Sequence, residues 1–251
     1  MEKPNRPSKE ENFIYGIRVV MEAIKSGKPI DKIFLKKGLS NELFKELFQA
    51  IRSNDIPFQY VPGNKIDNIT KKNHQGVLAF LSPVELYSVE SIVPKLFEEG
   101  KNPLLLVLDK VSDVRNFGAI VRTAECAGID AIVIPHKKTA RLNEDAVKTS
   151  AGAIFQIPIC RTPGMLNTLK YLKDSGIQII AATEKSDKNY YQSDFSLPTA
   201  ILMGSEEKGI SREYLQEATT HVKIPLLGKI DSLNVSVAAG ILMFEAVKQR
   251  I

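Results

Sequence analysis

Short apolar runs that alternate with segments of helical periodicity constrain this chain more than any other feature. Leu104–Leu108, Ala131–Ile134 and Ala200–Met203 contain no polar residue, and Ile177–Ala181 contains only Gln178. A strand covered on both faces reads as such a run, whereas a half-exposed strand alternates. Between the runs lie helical stretches: one opening at Asn116 and ending at Gly128, one over Leu166–Lys173, and a long closing one over Leu233–Arg250. Ile154–Ile159 and Val222–Ile224 are expected as further strands. The pattern predicts an α/β fold with a parallel sheet and helices on both faces. Val237, Ile241, Phe244 and Val247 are expected to turn the closing helix toward the core.

The first third reads differently. Residues 1–10 form a charged, proline-containing tail expected to be disordered. Over 11–83, helical spacing at Ile17, Val20, Met21 and Ile24 and at Leu43, Leu47 and Ile51 is interleaved with strand-like Lys32–Leu35, Phe58–Val61 and Gly76–Leu81. This predicts a small α/β domain. Residues 84–101 read as a linker carrying one short helix, and 102–251 as the sheet domain.

Charge separates the two parts. Residues 1–83 hold 14 Lys/Arg against 9 Asp/Glu, a surplus of five, while 84–251 hold 20 of each. On charge alone the surplus reads either as ordinary solubility charge or as a nucleic-acid docking domain attached to a catalytic domain. Lys32, Lys36, Lys37, Lys71 and Lys72 are the candidate charges for docking a nucleic acid. No apolar stretch approaches the ~20 residues of a membrane span. Two cysteines, Cys126 and Cys160, form no disulfide framework or zinc-ligand pattern. A cytoplasmic protein without a metal or membrane partner is expected. The chain contains no Gly-x-Gly, so the dinucleotide fingerprint is missing. Gly204-Ser-Glu-Glu-Lys-Gly-Ile-Ser211 falls short of a phosphate-binding loop, because Ile210 replaces the lysine.

Three segments carry chemistry-bearing residues. In Leu108–Glu125 a buried strand ends in a polar loop and a helix opens at Asn116, either as a cap or as a functional amide. Arg122 lies on the same helix among apolar residues and calls for an anionic partner, or snorkels to the surface. In Ala200–Glu206 an apolar strand runs into Gly204-Ser205-Glu206, where Glu206 could bind a hydroxyl or move a proton. In Ile224–Ser236 a short strand leads through a loop to a helix capped near Ser232, with Asn234 beside it.

The order and spacing of these three segments resemble the motifs of the SpoU family of RNA 2′-O-methyltransferases, in the SPOUT superfamily. Phe13-Ile14-Tyr15-Gly16 and His74-Gln75-Gly76-Val77 resemble motifs of that family's small substrate-binding domain. Val114 stands where members often have proline. The resemblance implies a catalytic domain with a deep trefoil knot and a homodimer. It implies S-adenosylmethionine held around Gly204, Ile224, Leu226 and Leu233. It also implies a reacting centre of Asn116, Arg122, Glu206, Ser232 and Asn234.

A ribose hydroxyl must be placed in line with the sulfonium methyl and relieved of its proton. A guanidinium holds its proton to beyond pH ~12, so Arg122 is expected to bind and orient phosphate first. Proton removal then runs through Arg122, or through Glu206 and water. The two-domain layout looks most like enzymes that methylate a guanosine of bacterial large-subunit ribosomal RNA. A transfer-RNA enzyme, an adenosine-specific ribosomal enzyme and a non-catalytic RNA-binding assembly factor are the alternatives.

Overall fold

The computed structural model describes residues 13–205 and 207–251. The expected tail over 1–10 lies outside them, as does Glu206. The chain divides into two compact units, one running to Pro83 and one from Val84 to Ile251.

The first unit begins with β1 (Phe13–Tyr15), α1 (Ile17–Lys25), β2 (Ile30–Lys36) and α2 (Glu42–Ser53). It continues with β3 (Phe58–Val61), α3 (Gly63–Asp67) and β4 (Val77–Leu81). The sheet order is β1-β4-β2-β3, with only the β2–β3 pair parallel. Alternation along β2 sends Ile33 and Leu35 into one core with α1 and α2. It sends Phe34 to the other face, with Ile66 of α3, Leu78 and Phe80. The two sequence motifs of this unit meet in space. Ile17 N donates to Gln75 Oε1 at 3.1 Å, supplying the cap that Gly16 has no side chain to provide. His74 Nδ1 accepts from Gly76 N at 3.0 Å, so Nε2 carries the proton toward Asp67 Oδ1 at 2.9 Å.

The second unit contains β5 (Leu86–Tyr87), α4 (Val89–Glu98), β6 (Leu104–Leu108), α5 (Val114–Cys126), β7 (Ala131–Pro135) and α6 (Glu144–Thr149). After these come β8 (Ile159–Thr162), α7 (Met165–Asp174), β9 (Gln178–Ala182), β10 (Thr199–Met203), α8 (Arg212–Leu215), β11 (Thr220–Val222) and α9 (Val235–Arg250). Seven strands form one parallel sheet in the order β11-β9-β10-β6-β7-β8-β5. Its two faces feed two separate apolar cores. All five residues of β6 are buried, as the apolar run requires. Burying each such side chain contributes about 1.5–3 kcal/mol.

Four expectations are corrected. Residues 84–101 are not a free connector, since β5 pairs with β8 and Val89, Val93 and Leu96 of α4 join a core of the sheet unit. Ile154–Ile159 is not one strand, because Ala153–Phe155 forms a single 3-10 turn and the strand starts at Ile159. The strand expected over Val222–Ile224 lies two residues earlier. On α9, Val237 and Phe244 are 52% and 50% exposed, while Ala239, Leu242, Met243 and Ala246 are buried. This helix is apolar on nearly every side, so periodicity does not reveal which side faces inward.

Candidate active site

Strands leave β6 in opposite directions across the sheet: β7 and β8 lie to one side, β10 and β9 to the other. In an open parallel sheet that reversal opens a crevice at the carboxyl ends of the strands, where ligands bind. The loops after β6 and β10 enter this crevice. They line a cavity of about 490 Å³ together with Asn116, Lys138 and Val235.

Two helices present their N-termini here, and each is capped from within. Asp113, not Asn116, caps α5: its Oδ1 accepts from Arg115 N at 2.9 Å and Asn116 N at 2.8 Å. Asn234, not Ser232, caps α9: its Oδ1 accepts from Ser236 N at 2.9 Å. Both caps begin their helix with the side-chain oxygen that orphan N–H groups need. Asn116 is thereby freed from capping. Its Oδ1 accepts from Asn234 Nδ2 at 2.9 Å. A single amide thus spans the first and third sequence segments, which lie 118 residues apart. Both helix ends bring partial positive charge to the same place.

The loop after β10 is closed at its waist. A Cβ on Gly204 would lie 2.1 Å from Gly209 C and 2.3 Å from Ile210 N, so only glycine fits. Ser205 and Gly209 pair as an isolated bridge beyond that waist. Asp109, 1% exposed, anchors the far end of the loop. Its Oδ2 accepts from Ser211 N at 2.7 Å and Ser211 Oγ at 2.6 Å, and Lys110 Nζ donates to the same hydroxyl. A buried carboxylate is tolerated when donors satisfy it in this way. Sequence reading missed this clasp, because its partners are 102 residues apart.

The remaining expected residues spread over the unit. Arg122 is exposed and follows Asn116 by six residues, which places it about a third of a turn away around α5. It does not line the cavity. Ser232 is exposed, Leu233 is half-buried, and Ile224 and Leu226 lie on the loop between β11 and α9. Among the described residues, no backbone group of 224–233 enters a backbone–backbone hydrogen bond. That loop therefore offers free main-chain donors and acceptors beside apolar side chains. Leu227 and Ile230 are 101% and 78% exposed. Glu206 lies outside the described residues.

On the first unit, Lys36, Lys37, Lys71 and Lys72 are exposed and Lys32 is half-buried. Lys32 Nζ lies 5.6 Å from the centre of the Phe34 ring, and Lys65 Nζ 5.0 Å from it. Lys65 extends the expected set of basic residues. It was not legible because α3 and β2 are separated in sequence and meet only across the sheet.

Comparison with known proteins agrees with this architecture. Residues 103–244 match the SpoU rRNA Methylase family, and residues 13–87 match the RNA 2′-O ribose methyltransferase substrate binding domain. A Staphylococcus saprophyticus protein described as a TrmH family tRNA/rRNA methyltransferase is 35% identical over 96% of this chain and 97% of its own. The S-adenosylmethionine-bound rRNA methyltransferase of Sinorhizobium meliloti superposes with a TM-score of 0.62 at 26% identity, covering 95% of this chain and 87% of that one. The TrmH/SpoU tRNA-modifying enzyme of A. aeolicus gives 0.55 at 31% identity, over 64% of this chain and 83% of that one. With both units matched in the expected order, the chain belongs to the SpoU family of RNA methyltransferases.

Proposed function

We propose that this protein transfers a methyl group from S-adenosylmethionine to a ribose 2′-hydroxyl of ribosomal RNA, with a guanosine of the large-subunit RNA as target. The observation that carries the reading is the Asn116–Asn234 hydrogen bond across the mouth of the crevice. S-adenosylmethionine is the cofactor, and it supplies an electrophilic methyl on a sulfonium. The loop of Ile224 and Leu226 suits its adenosine, with unpaired main-chain groups for the base edge and apolar side chains for its faces. Gly204, at the waist of the loop after β10, and Leu233, just before α9, complete the proposed cofactor set.

The chain's own groups then act on the RNA. The Asn116–Asn234 hydrogen bond holds the two amides in fixed orientation, and the pair positions the ribose. Ser232 is a further hydroxyl partner. Glu206 receives the ribose proton through water, or Arg122 orients the phosphate and takes part in that transfer. The RNA is held by Lys32, Lys36, Lys37, Lys71 and Lys72, joined by Lys65.

The two-unit layout supports a ribosomal substrate: the S. meliloti rRNA enzyme covers 95% of this chain, the A. aeolicus tRNA enzyme only 64%. We assign the exposed apolar side of α9, at Val237 and Phe244, to the interface of a homodimer. A face of this kind is covered when two copies associate. The trefoil knot of the family is proposed for the stretch from β10 to α9. The protein would work in the cytoplasm, where its substrate is made. Incubation with labelled S-adenosylmethionine and unmodified ribosomal RNA, followed by mapping of alkali-resistant positions, tests the reading. A 2′-O-methylated guanosine in large-subunit RNA is the expected product. Modification of transfer RNA alone would move the substrate, and cofactor binding without transfer to any RNA would favour an assembly factor.

A further inference from the structure

Two lysines line the crevice cavity in a backbone conformation that lysine rarely adopts. Lys110 has φ 60° and Lys138 has φ 59°. Lys110 follows β6 and Lys138 follows β7, and these strands are neighbours in the sheet. Left-handed backbone at a residue with a Cβ persists only where the surrounding structure over-determines it, and such residues concentrate at functional sites.

Lys110 is further constrained through its side chain. Its ammonium donates to Ser211 Oγ and lies 3.8 Å from the buried Asp109 carboxylate. An ammonium has three donors, so this anchor leaves it able to bind an anion from the cavity side. Lys208, on the loop after β10, lines the same cavity. Among the described residues that line the cavity, three lysines face two acids, Glu207 and Asp113, and Asp113 turns its Oδ1 to the N-terminus of α5.

We propose that Lys110 and Lys138 form an oxyanion site that grips a phosphodiester of the RNA beside the target ribose. The inference rests on the methyltransferase reading above. An oxyanion could come from the RNA or from the carboxylate of S-adenosylmethionine. The RNA is the better source, because the cofactor carries a net positive charge that three ammonium groups repel. Asp109 and Ser211 are positioning residues in this scheme: they hold Lys110 and the loop after β10 in one arrangement.

The test uses the full chain and compares Lys110→Gln, Lys138→Gln and the double variant with Lys110→Arg. The Gln variants should raise KM for RNA, about 10-fold for the double variant, with kcat at saturating RNA within about twofold of wild type. The slope of log affinity against log salt should fall by about 0.7–0.9 for each lysine removed. Lys110→Arg should restore most of the affinity, and Lys138→Gln, which leaves the Asp109 clasp intact, should keep S-adenosylmethionine affinity and melting temperature unchanged. RNA affinity and salt slope equal to wild type in the double variant would overturn the proposal. So would a loss confined to S-adenosylmethionine affinity, which would assign the site to the cofactor carboxylate. A wild-type protein that binds the cofactor but no RNA would overturn the methyltransferase reading and this inference together.

Discussion

The two units solve different problems with different physics. The sheet unit carries no net charge, and its site is set by enclosure: a glycine waist at Gly204, a buried Asp109 clasp and an amide bridge between two helix ends. The first unit carries the surplus of positive charge and displays it on and around one strand, with Lys32 and Lys65 over the Phe34 ring. Removing a packed contact moves backbone, while removing one surface charge changes a screened sum. Substitutions at these packed contacts of the sheet unit should therefore act steeply and singly. Those in the first unit should act gradually and depend on salt.

The largest effect is expected at the waist. Gly204→Ala places a Cβ 2.1 Å from backbone, so the loop must shift. Methyl transfer should fall by about 100-fold or more while the fold survives, since overpacking costs about 1–3 kcal/mol. Circular dichroism with a transfer assay checks this, and near-normal turnover would show that the loop is not rigid where the account requires it. Next is Arg122→Lys, which keeps charge but loses the planar fork; a drop of about 10–100-fold is expected. Full turnover would remove the guanidinium from the mechanism.

A smaller effect belongs to the first unit. Lys71→Glu with Lys72→Glu should weaken RNA binding at low salt by about tenfold and steepen nothing in kcat, the difference shrinking as salt rises. A loss independent of salt would break the contrast between the units.

The smallest effect is one of pH. Burial pushes the Cys160 thiol up to about 12 from an ordinary 9.0, while Cys126 is exposed. A thiol raised in the folded state contributes stability that is intact below pH ~9 and is lost as pH climbs toward 12. Cys126 should react with a thiol reagent at neutral pH and Cys160 only on unfolding. A melting temperature measured from pH 8 to 11 should decline less steeply in Cys160→Ala.

What was legible in the sequence follows the range of the interactions. Buried strands announce themselves locally, so β6, β7, β9 and β10 could be placed from apolar runs alone. The caps were misplaced by two or three residues, because Asp113 and Asn116, and Ser232 and Asn234, are equally good cap chemistries at neighbouring positions. Only the helix geometry selects Asp113 and Asn234, and that selection is what releases Asn116 toward Asn234. The orientation of α9 failed for a different reason: a helix apolar on all sides has no periodic signal to read. The Asp109–Ser211 clasp and the Phe34–Lys65 contact join distant segments and left no local trace.

The Asn116–Asn234 bridge is the point where the site is assembled, and a double-mutant cycle on single-turnover methyl transfer tests this most directly. Asn116→Ala and Asn234→Ala should each slow transfer, and the double variant should be little slower than the worse single one, because each amide acts through the other. Fully additive losses, or single variants that turn over at the wild-type rate, would contradict the assignment of this centre.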